Sequence, residues 1–247
     1  MTARIYDFGL SDDRELTMIA SDGGLLDKPH RTDRVRLSPG ERAEVIVEMT
    51  PGEELTLRSF GPDLGASSSN TRDSGGDDQF DVLQLRAKEK LTPSPPLPDR
   101  LVTIPRLDPA DAAQKRSFEL RSRRINGEKM DLGRIDTVVT KDTTEVWQVR
   151  NDHGRAHNFH IHDVRFQVLT IDGAAPPPEL RGWKDTIYLP PRVPIRLIMR
   201  FTGYADPATP YMYHCHLLRH EDEGMMGQFV VVEPGQRPVA PSDDHGQ

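Results

Sequence analysis

Two short segments hold six of the nine histidines of this 247-residue chain: HNFHIH (157 to 162) and HCHLLRH (214 to 220). The only cysteine, Cys215, stands between His214 and His216. A single cysteine excludes an intrachain disulfide, so its role is core filler, nucleophile or metal ligand. A packing requirement does not concentrate imidazoles in this way, and metal binding does. Side chains alternate faces along a strand, so His160 and His162 share one side, as do His214 and His216, while Cys215 points the other way. His157 has the opposite parity to His160 and His162. The spacing therefore predicts two neighbouring sites, one of four imidazoles and one built on Cys215 with His157.

The segment after Cys215 adds to the second site. LLRHEDEG (217 to 224) is polar and short enough for one or two helical turns, which bring His220 back toward Cys215; Gly224 then releases the chain and presents Met225. A thiolate, two imidazoles and a weak thioether form the ligand set of blue copper centres. Structural zinc sites avoid methionine, so zinc fits less well. Met226 reads as a core residue. A cysteine nucleophile would find poor acyl-transfer geometry between two strand-opposed histidines.

The elements that must position these groups read as β-strands. SFELRSR, IDTVV, TEVWQVRN, RFQVLTID, DTIYLPP, IRLIMRF, YMYHCH and GQFVVVE follow one another at short spacing with Gly and Pro between them, the pattern of an all-β sandwich over 117–234. RSRR (121 to 124) reads as a solvated strand edge. Upstream, residues 1–87 carry a sparser β pattern (Tyr6, Phe8, Leu10; Val45, Val47, Met49; Leu55, Leu57; Phe80, Val82), with turn chemistry at SDGG and SPGE. Residues 61–79 are Gly, Ser and Asp rich and read as a mobile loop. Proline marks 88–116 as an extended linker, closed by a short helix that Asp108 caps and Pro109 starts. The tail, 235–247, is expected to fray.

Composition narrows the function classes. A net charge of -7 disfavours nonspecific nucleic-acid or anionic-membrane binding. No apolar run approaches the roughly 18 residues of a spanning helix. The N-terminal MTARIYDFGL shows no signal peptide.

H-C-H-x3-H-x4-M, with H-x2-H-x-H upstream, resembles the C-terminal copper signature of the multicopper oxidases, in particular the bacterial branch of laccases and copper-efflux oxidases. AHNFHIHDVRFQVLTIDG and MYHCHLLRHEDEGMMGQFVVVE carry the resemblance, and SDGGLLDKP and LSPGERAEVIVEM resemble the later part of the family's middle domain. The resemblance implies a complete cupredoxin-like Greek-key sandwich at 117–234, preceded by a partial cupredoxin-like domain at 1–87. It implies that His157, Cys215, His220 and Met225 bind the type 1 copper, His160 the type 2 copper, and His162, His214 and His216 the type 3 pair. Cys215 would carry single electrons from a phenol, aromatic amine or metal-ion reductant toward the cluster that reduces O2 to water. Glu221 matches a carboxylate that relays protons; a solvated acidic turn is the alternative. Asn158 departs from the family pattern, which often has proline there.

The family's trinuclear cluster takes eight histidines, and this chain offers four in its two H-x-H pairs; His30, His153 and His245 form no further pair. The expectation is therefore the C-terminal half of a multicopper oxidase, whose cluster is completed by an N-terminal half or by a homo-oligomer. The family resemblance implies a periplasmic or extracellular home. A noncatalytic blue-copper protein is the alternative, which an N-terminal half with two H-x-H motifs would disfavour. A binuclear zinc hydrolase, suggested by HIHD (160 to 163), lacks its final histidine and the alternating α and β structure of that class.

Overall fold

A computed structural model describes residues 4–239; the part of the expected fraying tail from 240 onward, with His245, lies outside the described residues. Seven strands precede the proline-rich stretch: β1 (Tyr6–Leu10), β2 (Leu16–Ser21), β3 (Gly24–Thr32), β4 (Val35–Leu37), β5 (Ala43–Ile46), β6 (Glu54–Phe60) and β7 (Phe80–Arg86). They form a four-stranded sheet in the order β4-β1-β6-β7 and a three-stranded sheet in the order β3-β2-β5. Between them lies a small core of Leu10, Leu16, Val35 and Leu55. The expected alternation does not bury Val45, Phe80 or Val82, which are exposed on the edge strands β5 and β7. The 61–79 segment is not simply a loop. It contains helix α1 (Ser68–Asp73), and Leu64 is buried with Ile5, Ala156 and Tyr188.

Residues 87–108 form no strand or helix, yet Ile104 is buried and Gln167 ties the stretch down, donating to Pro105 O and accepting from Leu107 N. The expected short helix is a single 3-10 turn, Pro109–Asp111, with Asp108 Oδ1 accepting from Ala110 N.

Ten strands follow: β8 (Ala112–Arg121), β9 (Arg124–Ile125), β10 (Thr137–Thr140), β11 (Thr144–Asn151), β12 (His157–Ile161), β13 (Phe166–Ile171), β14 (Thr186–Leu189), β15 (Pro194–Arg200), β16 (Tyr211–His214) and β17 (Met226–Val232), with helix α2 (Leu218–Asp222) between the last two. Two five-stranded sheets result, β10-β17-β16-β12-β14 and β13-β15-β11-β8-β9, so the expected all-β sandwich is present. β-Branched and aromatic residues supply both strand preference and core. Trp147 is fully buried among Phe118, Phe159, Phe201, Tyr213 and Phe229. Burying each such side chain stabilises the fold by about 1.5–3 kcal/mol. The indole N–H donates to Glu145, whose buried carboxylate also accepts two bonds from Arg116, so no polar group is stranded there.

RSRR lies at the expected solvated sheet edge, with Arg121 ending β8 and Arg124 starting the edge strand β9, and it also holds a tight turn. Ser122 and Arg123 both have positive φ (50° and 60°), the left-handed pair that reverses a two-residue hairpin between β8 and β9. No helix among the described residues is long and apolar enough to cross a membrane.

Candidate metal centre

Register brings the histidine segments together. β12 runs antiparallel to β16 with His160 opposite His214, so HNFHIH and HCH meet at one end of a sheet. Alternation then sorts the side chains as the spacing predicts. His157, Cys215 and His220 gather on one side; His160, His162 and His214 gather on the other.

In the first cluster Cys215 Sγ lies 3.7 Å from His157 Nδ1 and 3.5 Å from His220 Nδ1, and the two nitrogens are 3.2 Å apart. A point equidistant from the three atoms is about 2.0 Å from each, against roughly 2.0–2.1 Å for a metal–imidazole bond and 2.3 Å for a metal–thiolate bond. The donors thus already stand where a trigonal first-row metal needs them. Helix α2 is what returns His220 to the cysteine, and Gly224 (φ 88°) ends it. Met225 is fully buried and its carbonyl accepts from Cys215 N at 3.2 Å.

Burial governs the protonation of this cluster. It pushes the Cys215 thiol up to about 12. It pushes His220 down to about 4, with Arg123 adding to the effect, and holds His157 well below the ordinary imidazole range. Neutral imidazoles are ready ligands, whereas the thiol must lose its proton when a metal arrives.

The second cluster is more open. His162 Nε2 and His214 Nε2 are 3.2 Å apart, and the His160 ring centroid lies 5.2 Å from that of His214 and 5.3 Å from that of His216. His216 completes the ring of four, but its side chain is 40% exposed. Burial, with His160 nearby, pushes His214 down to about 3. Glu221 reaches this side, with Oε2 3.3 Å from His214 Nδ1 and 3.9 Å from His216 Nδ1. Among the described residues Glu221 Oε2 and His214 Nδ1 are buried without a hydrogen-bond partner, so one carboxylate oxygen faces inward although the side chain is 30% exposed.

Side chains and backbone from the loops between the N-terminal strands buttress both clusters. Asn158, read in the sequence only as a departure from proline, is completely buried. Its Nδ2 donates to Ser38 Oγ and Pro39 O, its Oδ1 accepts from His216 N at 2.7 Å, and Cys215 Sγ is 3.6 Å from that oxygen. His160 Nδ1 faces Asp185 O and Thr186 Oγ1 at 3.0 and 2.9 Å, which leaves Nε2 for a ligand role. Arg42 grips Asp185 with two bonds. Although burial pushes the Asp185 carboxyl up, bonds from His160, Arg42 and Thr186 hold it well below the usual carboxylate range. Lys184 is buried between Asp22 (2.9 Å) and Glu41 (3.3 Å); burial pulls its pKa down, but those two carboxylates prevail and raise it. Gly40, read only as a turn residue, has φ 86° and lies so close to His216 that a Cβ would sit 2.6 Å from Cδ2.

The other described histidines are not part of either cluster. His30 faces Glu179 at 3.5 Å; the His153 ring lies 5.9 Å from that of His157. A cavity of about 560 Å³ between the two halves of the chain touches none of the clustered histidines or Cys215.

The sequence profile of the multicopper oxidases matches residues 97–235. A multicopper oxidase from Staphylococcus haemolyticus is 32% identical over 238 residues, covering 93% of this chain and 46% of that protein. Cell division protein FtsP from Dickeya dadantii is 33% identical over 238 residues, covering 93% and 48%. The structure of a laccase-like multicopper oxidase from Ochrobactrum sp., described as active towards lignin model compounds and lignosulfonate, superposes with a TM-score of 0.82 at 32% identity, over 94% of this chain and 53% of that one. The chain thus spans about half the length of the relatives it matches.

Proposed function

The chain belongs to the multicopper oxidase family, and from that premise we propose that it carries the electron-entry copper of a laccase-like oxidase together with half of the ligands of a second, multinuclear copper cluster. One observation carries the reading: a thiol and two neutral imidazoles on a circle of about 2.0 Å radius. His157, Cys215, His220 and Met225 would hold the type 1 copper. His160 would serve the type 2 ion, and His162, His214 and His216 the type 3 pair. Copper at these sites would supply one-electron oxidation of phenols, aromatic amines or metal ions, coupled to reduction of O2 to water.

The residues themselves explain the division of labour. Cys215 is bonded through the backbone to His214 and His216, so a covalent path joins the closed cluster to the open one. His160 is oriented by Asp185 and Thr186, and Asn158 fixes the backbone at His216. Glu221 holds a carboxylate against His214 and His216, where oxygen reduction consumes protons. The other ligands of the open cluster would come from an N-terminal half or from a second copy of the chain, and a periplasmic or extracellular setting goes with the family.

Oxygen uptake tests the reading. The copper-loaded chain alone should oxidise a phenolic donor once per chain without consuming O2, and co-expression with an N-terminal half bearing two H-x-H motifs should give sustained uptake. The similarity to a cell division protein supports a second reading, a protein without oxidase turnover. A blue chain that consumes no O2 in any combination would favour that reading.

A further inference from the structure

Beside the thiolate cluster a surface cleft of about 310 Å³ opens between the Ser122–Arg123 turn, the loop after β11 and helix α2. Ser122, Arg123, His153, Arg155, His157 and His220 line it, with no carboxylate and no apolar side chain among them. Resting on the reading that His157 and His220 hold the electron-entry copper, we propose that this cleft docks reductants bearing an anionic group, specifically carboxylated or sulfonated phenols, in preference to neutral phenols or metal cations.

The charge around the cleft supports this choice. Arg123 pairs with Glu223, which Arg219 shares at 2.9 Å; Arg155 pairs with Asp73 of α1 at 3.4 Å; Arg121 and Arg150 share Asp152 at 3.7 and 3.5 Å. Five guanidiniums therefore meet three carboxylates, and none of the three lines the cleft. A guanidinium offers five N–H donors, so Arg123 and Arg155 retain donors beyond those engaged, in a fork that matches a carboxylate or sulfonate. The field is felt by the neighbouring imidazole: burial lowers the pKa of His153, and Arg155, Arg121 and Arg123 lower it further.

A second observation points to a missing ligand. His157 Nε2 and His153 Nδ1 are buried with no hydrogen-bond partner, and both residues line the cleft. If His157 uses Nδ1 for the metal, its Nε2 carries a proton, and an oxyanion brings the acceptor that this N–H lacks. A phenol held by its anionic end between Arg123 and Arg155 lies against the imidazoles that touch Cys215. A divalent cation meets the same guanidiniums as repulsion.

The test uses three donors on one ring: 4-hydroxy-3-methoxybenzoate, neutral 2-methoxyphenol and the cationic 3-methoxytyramine. Binding to the metal-free chain is followed through the histidine ring resonances, which needs no turnover. The benzoate should shift His153, His157 and His220 saturably and bind about fivefold or more tighter than either analogue. Arg155→Gln and Arg123→Gln should each remove that preference, and Arg155→Lys should keep most of it. Equal affinities, shifts confined to His30, or a preference indifferent to both arginines would overturn the inference. Copper added afterwards to the same samples separates the two readings. A blue band without anion preference sinks this inference alone, whereas anion preference without a blue band sinks the copper reading.

Discussion

The two histidine clusters share strands β12 and β16 and differ in closure. Around Cys215 the thiol and His157 are buried, His220 is partly so, and the three donor atoms are mutually in reach. Around His160 the imidazoles converge as well, but His216 is 40% exposed, and the orientation of His160 and the position of His216 depend on contacts with residues 22–42. One cluster lies within one sandwich. The other lies where two parts of the chain meet. The difference teaches that burial and orientation are separate requirements: burial keeps imidazoles neutral in both clusters, while the more open one leans on hydrogen-bonded neighbours to orient its rings.

The sharpest way to break the comparison is Cys215→Ser. It should abolish the thiolate-to-copper absorption entirely while leaving the melting temperature of the metal-free chain nearly unchanged, read by visible spectroscopy and calorimetry. A variant that stays blue contradicts the closed-cluster assignment.

Lys184→Met acts from the other side. It strands the buried Asp22 and Glu41, which should cost about 3–5 kcal/mol in a denaturant titration. Asp22 Oδ2 lies 3.3 Å from Thr186 N, so the His160 ring should become disordered by NMR while the blue band persists. Equal damage to both clusters would show that they are not independent.

Asn158→Ala touches both. It removes the acceptor of His216 N and the donor to Ser38 and Pro39, for an expected loss of about 2–4 kcal/mol. It should also displace the blue absorption maximum, because the carboxamide oxygen faces Cys215 Sγ.

Acid should weaken the metal-free fold through both clusters. Burial keeps His220 near 4 and His214 near 3, below an unfolded value of about 6.5. The unfolded chain therefore takes up protons first, and stability present above pH 6.5 is lost as pH falls toward those folded values. A urea midpoint that is flat between pH 7 and 4.5 would contradict the burial of the two imidazoles.

The smallest effect belongs to Gly40→Ala. Its φ of 86° and the 2.6 Å approach to His216 predict a cost of about 1–2 kcal/mol, with the His216 ring moved and the Cys215 site untouched. An unshifted His216 resonance would argue that this ring has no fixed place.

Much of this was legible in the residues. The alternation of HNFHIH and HCH forecast which imidazoles face which side, because a strand's period of two leaves no choice once the register is set. The helix in LLRHEDEG and the strands from TEVWQVRN to GQFVVVE follow from local patterns. What stayed hidden depends on contacts distant in sequence. Asn158 looks like an ordinary polar substitution until Ser38 and Pro39 approach it, and Lys184 looks like a surface lysine until Asp22 and Glu41 enclose it. The 61–79 segment has the composition of a loop, and distant contacts such as that of Leu64 with Tyr188 and of Asp73 with Arg155 give it a place. The turn inside RSRR stayed hidden because positive φ at Ser122 and Arg123 carries no signal without glycine.

The most direct measurement is a titration of the metal-free chain with copper(II), recording visible absorption, electron paramagnetic resonance and bound metal together. An intense blue band that saturates at about one copper per chain, with the narrow hyperfine splitting of a thiolate-bound ion, is the result the closed cluster predicts. Tight copper uptake with no thiolate-to-copper band would contradict it.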